Sequence, residues 1–191
     1  MKELLLIIFA AVFANNYVLT KTLGICPFLG VSKQLQQAAG MGVAVTFVMV
    51  LATAATWPIQ YYILNPLNIG YLQTIVFILV IAALVQFVEI TLKRFIPGLH
   101  KSLGIYLPLI TTNCAVLDVA IANITNETAF VPSLFNSLGA GIGFLLAMIL
   151  FAGVRTRLDQ NTNVPKAFRG LPITLAAAAI VSLSFMAFSL K

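Results

Sequence analysis

ITTNCAVLD, residues Ile110 to Asp118, lies inside a run that otherwise reads as a membrane-spanning helix, yet it places Asn113, Cys114 and Asp118 close together. Polar groups inside a bilayer are costly and are kept where neighbours satisfy them or where function needs them. Counted from Leu103 at 1.5 Å per residue, Cys114 sits about 16 Å into a hydrocarbon core of about 30 Å. Pro108 and the pair Thr111-Thr112 disturb the helix just before it. The stretch therefore predicts a helix broken near mid-depth, and the fold has to supply partners for the freed backbone groups.

The rest of the chain fits that setting. It has 191 residues, 61% hydrophobic and 8% charged, against roughly 25% charged in soluble domains. An all-α membrane protein is expected, forming a single transmembrane domain over residues 1–191. Its net charge of +6 is carried in short loops rather than on a continuous polar face, which argues against nucleic-acid binding. Lys2 and Glu3 make only a weak charged leader and no small-residue cleavage site precedes a polar segment, so the first apolar block is expected to remain as a helix.

Six spans emerge, near Leu4–Leu23, Gln37–Trp57, Ile69–Thr91, Leu103–Ile124, Val131–Val154 and Leu171–Leu190. The first, third and fifth loops hold Lys33; Lys93, Arg94 and Lys101; and Arg155, Arg157, Lys166 and Arg169, whereas the second and fourth hold no basic residue. The positive-inside rule then predicts both termini outside and three basic loops in the cytoplasm. The NITNET loop contains two N-x-T sequons, weak matches in so short a connection.

Self-comparison connects the opening stretch to a second one. NNYVL from Asn15 aligns with NCAVL from Asn113, and GMGVAVTFVMVLA from Gly40 with GAGIGFLLAMILFA from Gly139, at nearly equal offsets of about 98 and 99 residues. A duplicated three-helix unit follows, residues 1–92 and 93–191. Because three is odd, the copies enter the membrane from opposite sides, giving two inverted repeats, each with a broken first helix. In the first half Asn15 and Asn16 take the depth of Asn113, followed by Lys21, Gly24 and Pro27. A straight helix would carry Cys26 to the surface, whereas fold-back of the apolar LGICPFLGV would bring it toward Cys114. The glycine sets are read as close-packing positions.

The two cysteines show neither CxxC nor haem-attachment spacing. A membrane pair of this kind fits a thiolate-bound metal, a disulfide or plain packing. An iron-sulfur cluster takes four thiolates, so two more would have to come from a second chain. His100 is the only histidine and lies among basic loop residues.

NNYVLTKTLGICPFLGVSK, TFVMVLA, FILVIAALVQFVEI, LGIYLPLITTNCAVL and RGLPIT together resemble the RnfA family of the Rnf electron-transport complex, whose close relative is NqrE of the sodium-pumping NADH:quinone reductase. The similarity covers nearly the whole chain. It implies a six-helix protein paired with RnfE, each giving two cysteines, here Cys26 and Cys114, to one intramembrane [2Fe-2S] cluster. It also implies a translocase in a bacterial or archaeal cytoplasmic membrane that moves electrons between ferredoxin and NAD⁺, coupled to Na⁺ or H⁺. The chain alone would hold no complete active site. Flavins and other iron-sulfur centres would belong to partner proteins among RnfB, RnfC, RnfD and RnfG.

Asp118 departs from the small residue expected in that family. It lies one turn beyond Cys114 on the same face, and three readings stand: it tunes the cluster, binds a translocated cation, or faces a wet interface. Glu89, with Lys93 four residues on, is expected to form a helical salt bridge, with ion transport as the other reading. A small inverted-repeat transporter with incidental cysteines is the competing function.

Overall fold

The computed structural model describes residues 2–14, 16–32, 35–67, 70–95, 107–160 and 170–189. Every regular element among them is a helix. Asn15, Lys33, His100, Lys101, Lys166 and Arg169 lie outside the described residues.

α1 (Lys2–Phe9) runs into a π-helical turn, Ala10–Ala14. After an open stretch follow α2 (Ile25–Val31) and α3 (Leu35–Ile59). α3 does not stop at the expected boundary near Trp57. Pro58 lacks the N–H that would bond back to the preceding turn, and the chain widens into a π-helical segment, Gln60–Leu64, instead of ending. A short turn, Asn65–Leu67, completes a segment expected to be a loop. α4 is Gln73–Phe95, α5 Leu107–Thr111, α6 Cys114–Thr125, α7 Phe130–Asp159 and α8 Leu171–Ser189.

Among the described residues, four stretches are long and apolar enough to cross a membrane, Leu35–Leu64, Gly70–Thr91, Pro108–Thr125 and Phe130–Leu158, and Pro172–Met186 is a shorter apolar helix. Both expected interruptions are present, after Ala14 in the first half and at Thr112-Asn113 in the second. The fold is thus that of a multi-pass helical membrane protein.

The core forms where α3 crosses α7. A Cβ added to Gly141 would lie 2.8 Å from the Thr46 Cα, and one on Gly42 3.0 Å from the Leu145 Cα. Only glycine lets the two backbones approach this closely. Under the offset that aligns GMG with GAGIG, Gly42 maps to Gly141 and Thr46 to Leu145, so the two contacts exchange partners, as in an isologous twofold contact. Gly40 faces open space and takes no part in the packing expected of it. Around the seam, Met41, Val45, Met49, Phe144, Met148 and Phe151 are buried, and a Thr53–Ser137 hydroxyl bond of 2.6 Å ties the two helices.

Asn123 is buried in α6 and donates to Ser137 Oγ at 3.0 Å while accepting from Asn136 Nδ2 at 2.7 Å. Its sequon is therefore inside the packing. α4 buries only the stripe Phe77, Ile81 and Val85, leaving Ile75, Ile78, Leu79, Phe87 and Ile90 exposed, the pattern of a helix with one protein-facing side in an apolar environment.

Candidate functional site

The first break is organised by Asn16, which is 1% exposed. Its Nδ2 donates to the Val12 and Gly143 carbonyls at 3.1 and 3.0 Å, and its Oδ1 accepts from the Val18 and Leu19 amides at 3.1 and 3.4 Å. One amide thus satisfies groups on both sides of the interruption, which the bilayer requires where no water reaches. The Leu19 carbonyl accepts from Ser182 Oγ of α8 at 2.6 Å. Asn16 is a structural bracket rather than an open ion ligand.

At the second break Asn113 is the N-cap of α6: its Oδ1 accepts from the Ala115 amide at 3.0 Å. The Thr112 hydroxyl and amide both return to the Pro108 carbonyl. Asn113 Nδ2 is buried without a partner among the described residues.

Each break is followed by a helix with a cysteine in its first turn, Cys26 in α2 and Cys114 in α6. The fold-back brings them into one neighbourhood, because the Gly24 amide donates to Cys114 Sγ at 2.9 Å and Cys26 is two residues further on. Gly24 has φ 79°, a left-handed conformation favouring glycine, and a Cβ there would sit 2.8 Å from the Phe144 ring. Both cysteines are free and exposed on the chain's surface.

Asp118 is paired. Its Oδ2 lies 2.8 Å from Lys21 Nζ, and the lysine also sits 4.5 Å from the centroid of Tyr17. The pair fastens the first break to α6 beside the cysteines. It is the partner that sequence reasoning missed, and a signal existed: two opposite charges in apolar spans need each other, and their separation of 97 residues is close to the repeat offset.

Glu89 and Lys93 form no ion pair, contrary to expectation. Lys93 is exposed, and a helical pair of this spacing is worth about 0.3–0.5 kcal/mol, too little to fix two long side chains.

Arg155 is the other residue missed. Expected in a loop, it lies within α7, 6% exposed, and its Nη1 donates to the Leu29 carbonyl at 2.6 Å and to Ser32 Oγ at 2.7 Å. It thereby caps the last turn of α2 and fixes the helix carrying Cys26. Arg155→Met is expected to cost about 2 kcal/mol, the worth of hydrogen bonds to a charged group. It should also raise the rate of maleimide labelling at Cys26 relative to Cys114; unchanged labelling at both would show that α2 is held otherwise.

Broken helices around buried amides, with two free, exposed cysteines, define a multi-pass helical membrane protein. Residues 4–191 match the family model described as Rnf-Nqr subunit, membrane protein, and the chain belongs to that family. It is 59% identical over 186 residues to the A subunit of the Na(+)-translocating ferredoxin:NAD(+) oxidoreductase complex of Acetobacterium woodii, covering 97% of this chain and 96% of that one. It is 56% identical to the A subunit of the ion-translocating oxidoreductase complex of Syntrophotalea carbinolica, and 52% identical to that of an Azoarcus species, each over 99% of this chain and 97% of the relative.

Proposed function

We propose that this chain is a membrane component of an ion-translocating ferredoxin:NAD⁺ oxidoreductase and that Cys26 and Cys114 ligate one half of a [2Fe-2S] cluster. The relatives' names support the complex. The observation that carries the cluster is the convergence of two free, exposed cysteines through the Gly24–Cys114 contact.

The donor set fits such a group. Among the described residues no three or more His, Cys, Asp or Glu side chains assemble, so two further thiolates must come from outside, and both cysteines face outward. Asn113 Nδ2, a buried donor with no partner beside Cys114, is suited to a sulfide or thiolate acceptor, the kind of hydrogen bond that sets cluster potential. The cluster, when bound, supplies one-electron transfer within the membrane. The partner is a similarly built protein, RnfE, with the other Rnf proteins carrying flavins and further centres. The exchange of contacts between α3 and α7 supports the inverted-repeat reading, and the charge bias of the loops supports a cytoplasmic membrane location with termini outside.

The test is electron paramagnetic resonance of the dithionite-reduced complex, with and without both cysteines replaced by serine. A [2Fe-2S] signal that persists in the double variant would overturn the assignment.

Lys21 and Asp118 then act on the cluster by charge. Asp118→Asn leaves a lysine unbalanced near Cys114 and should raise the midpoint potential, by on the order of 1 kcal/mol or about 40 mV. Lys21→Met should lower it. Redox titration reads both, and shifts of the same sign would exclude electrostatic tuning.

A further inference from the structure

A second site lies away from the cysteines, where the end of α3 meets the α6–α7 turn. It is a cavity of about 400 Å³ whose lining includes Trp57, Gln60, Tyr61, Asn65, Glu127 and Thr128. Two of its donors are already used: Trp57 Nε1 donates to the Thr128 carbonyl at 3.1 Å, and Gln60 Nε2 to Asn65 Oδ1 at 3.0 Å. What is left over includes acceptors. Gln60 is 8% exposed and its Oε1 has no partner among the described residues, a costly state unless something donates to it. Glu127 has no ion-pair partner among the described residues. Its φ of 50° is a left-handed value at a helix C-terminus, where glycine or asparagine fits at less strain. No lysine or arginine lines the cavity among the described residues.

The wall is aromatic. Trp57 and Tyr61 stack at 5.4 Å and 8°, with the Phe130 ring at 63° to Trp57. Aromatic rings beside a carboxylate attract cations. A bare metal ion would want about six or more oxygens at short range, more than the Gln60 carbonyl and the Glu127 carboxylate supply. A quaternary ammonium has no N–H to give the Gln60 oxygen.

We propose that this cavity binds a primary ammonium group, held by the Glu127 carboxylate and the Gln60 carbonyl against the Trp57–Tyr61 wall. The ammonium comes either from a phospholipid ethanolamine headgroup or from a soluble amine. Trp57, Tyr61 and Tyr62 stand at the end of a long apolar helix, as belts at the membrane–water boundary do.

Trp57 is the chain's only tryptophan, so its emission reports on this site alone. The full chain is placed in phosphatidylcholine nanodiscs, and phosphatidylethanolamine is substituted for part of the lipid at constant surface charge. In parallel, ethanolamine is added to pure phosphatidylcholine discs at constant ionic strength. A saturable change in Trp57 emission in the lipid arm alone identifies a headgroup, and one in the soluble arm a free amine; either supports the proposal. Glu127→Gln should weaken the response about tenfold or more, the loss expected for a charge-assisted hydrogen bond, and Gln60→Leu should do likewise. No saturable change in either arm, an equal change with sodium chloride alone, or titrations unaltered in both variants would overturn it.

Discussion

Replacing either cysteine alone, Cys26→Ser or Cys114→Ser, is expected to remove the whole [2Fe-2S] signal of the reduced complex rather than half of it, and to take ferredoxin:NAD⁺ oxidoreduction to background. The reason is stoichiometric. Each iron of such a cluster needs two protein thiolates, and a chain that presents two of four has none to spare. Cys26 is held through α2, which Arg155 caps, and Cys114 through the Asn113 N-cap and the Gly24 amide. Neither side chain bears on the α3–α7 seam, so assembly of the complex should survive both substitutions. Native gels showing an intact complex, beside spectra lacking the signal, would bear this out. A spectrum retaining the cluster in either single variant would remove that cysteine from the ligand set.

Gly141→Leu should have the largest effect on the fold itself. Even the first carbon of the new side chain would meet the Thr46 backbone at 2.8 Å, and a backbone cannot rotate away as a side-chain tip can. Overpacking of buried sites costs about 1–3 kcal/mol where neighbours relax. Here the neighbour is the central helix, so the outcome expected is loss of the monodisperse protein in size-exclusion chromatography. Gly153→Leu is the control on the same helix: nothing lies within 4 Å of a Cβ there, and yield and melting temperature should stay near wild type. Equal damage from both would mean that helix propensity, not the close approach, sets the cost.

Most of the architecture could be read from the chain because lipid imposes so few solutions. Apolar length marked the four membrane-length stretches found among the described residues, and the polar interruptions at Asn16 and Thr112-Asn113 marked the breaks, since a bilayer admits irregular backbone only where protein satisfies it. The boundaries were less legible. α3 passes Pro58 by widening its turn, and α7 carries Arg155 inside the helix, because local packing offered partners that no window of sequence displays. The same applies at the site. Cys26, Cys114 and Asn113 stood out as residue types out of place in lipid, whereas Lys21 was read only as part of the first break and Arg155 only as a loop charge. Their meaning depends on Asp118 and on the Leu29 carbonyl, residues distant in the chain that only the folded molecule brings near.

The glycine-locked crossing of α3 and α7 also bears on movement. Helices whose backbones already touch cannot draw closer, and parting them would open a void where apolar chains now interlock. Any rearrangement that turns the cysteine edge from one side of the membrane toward the other must therefore swing about this crossing as about a fixed axle. The travel falls to α2, α5 and the pieces beside the breaks, and it would have to release the Arg155 cap on α2, the Ser182–Leu19 bond and the lysine–aspartate strut.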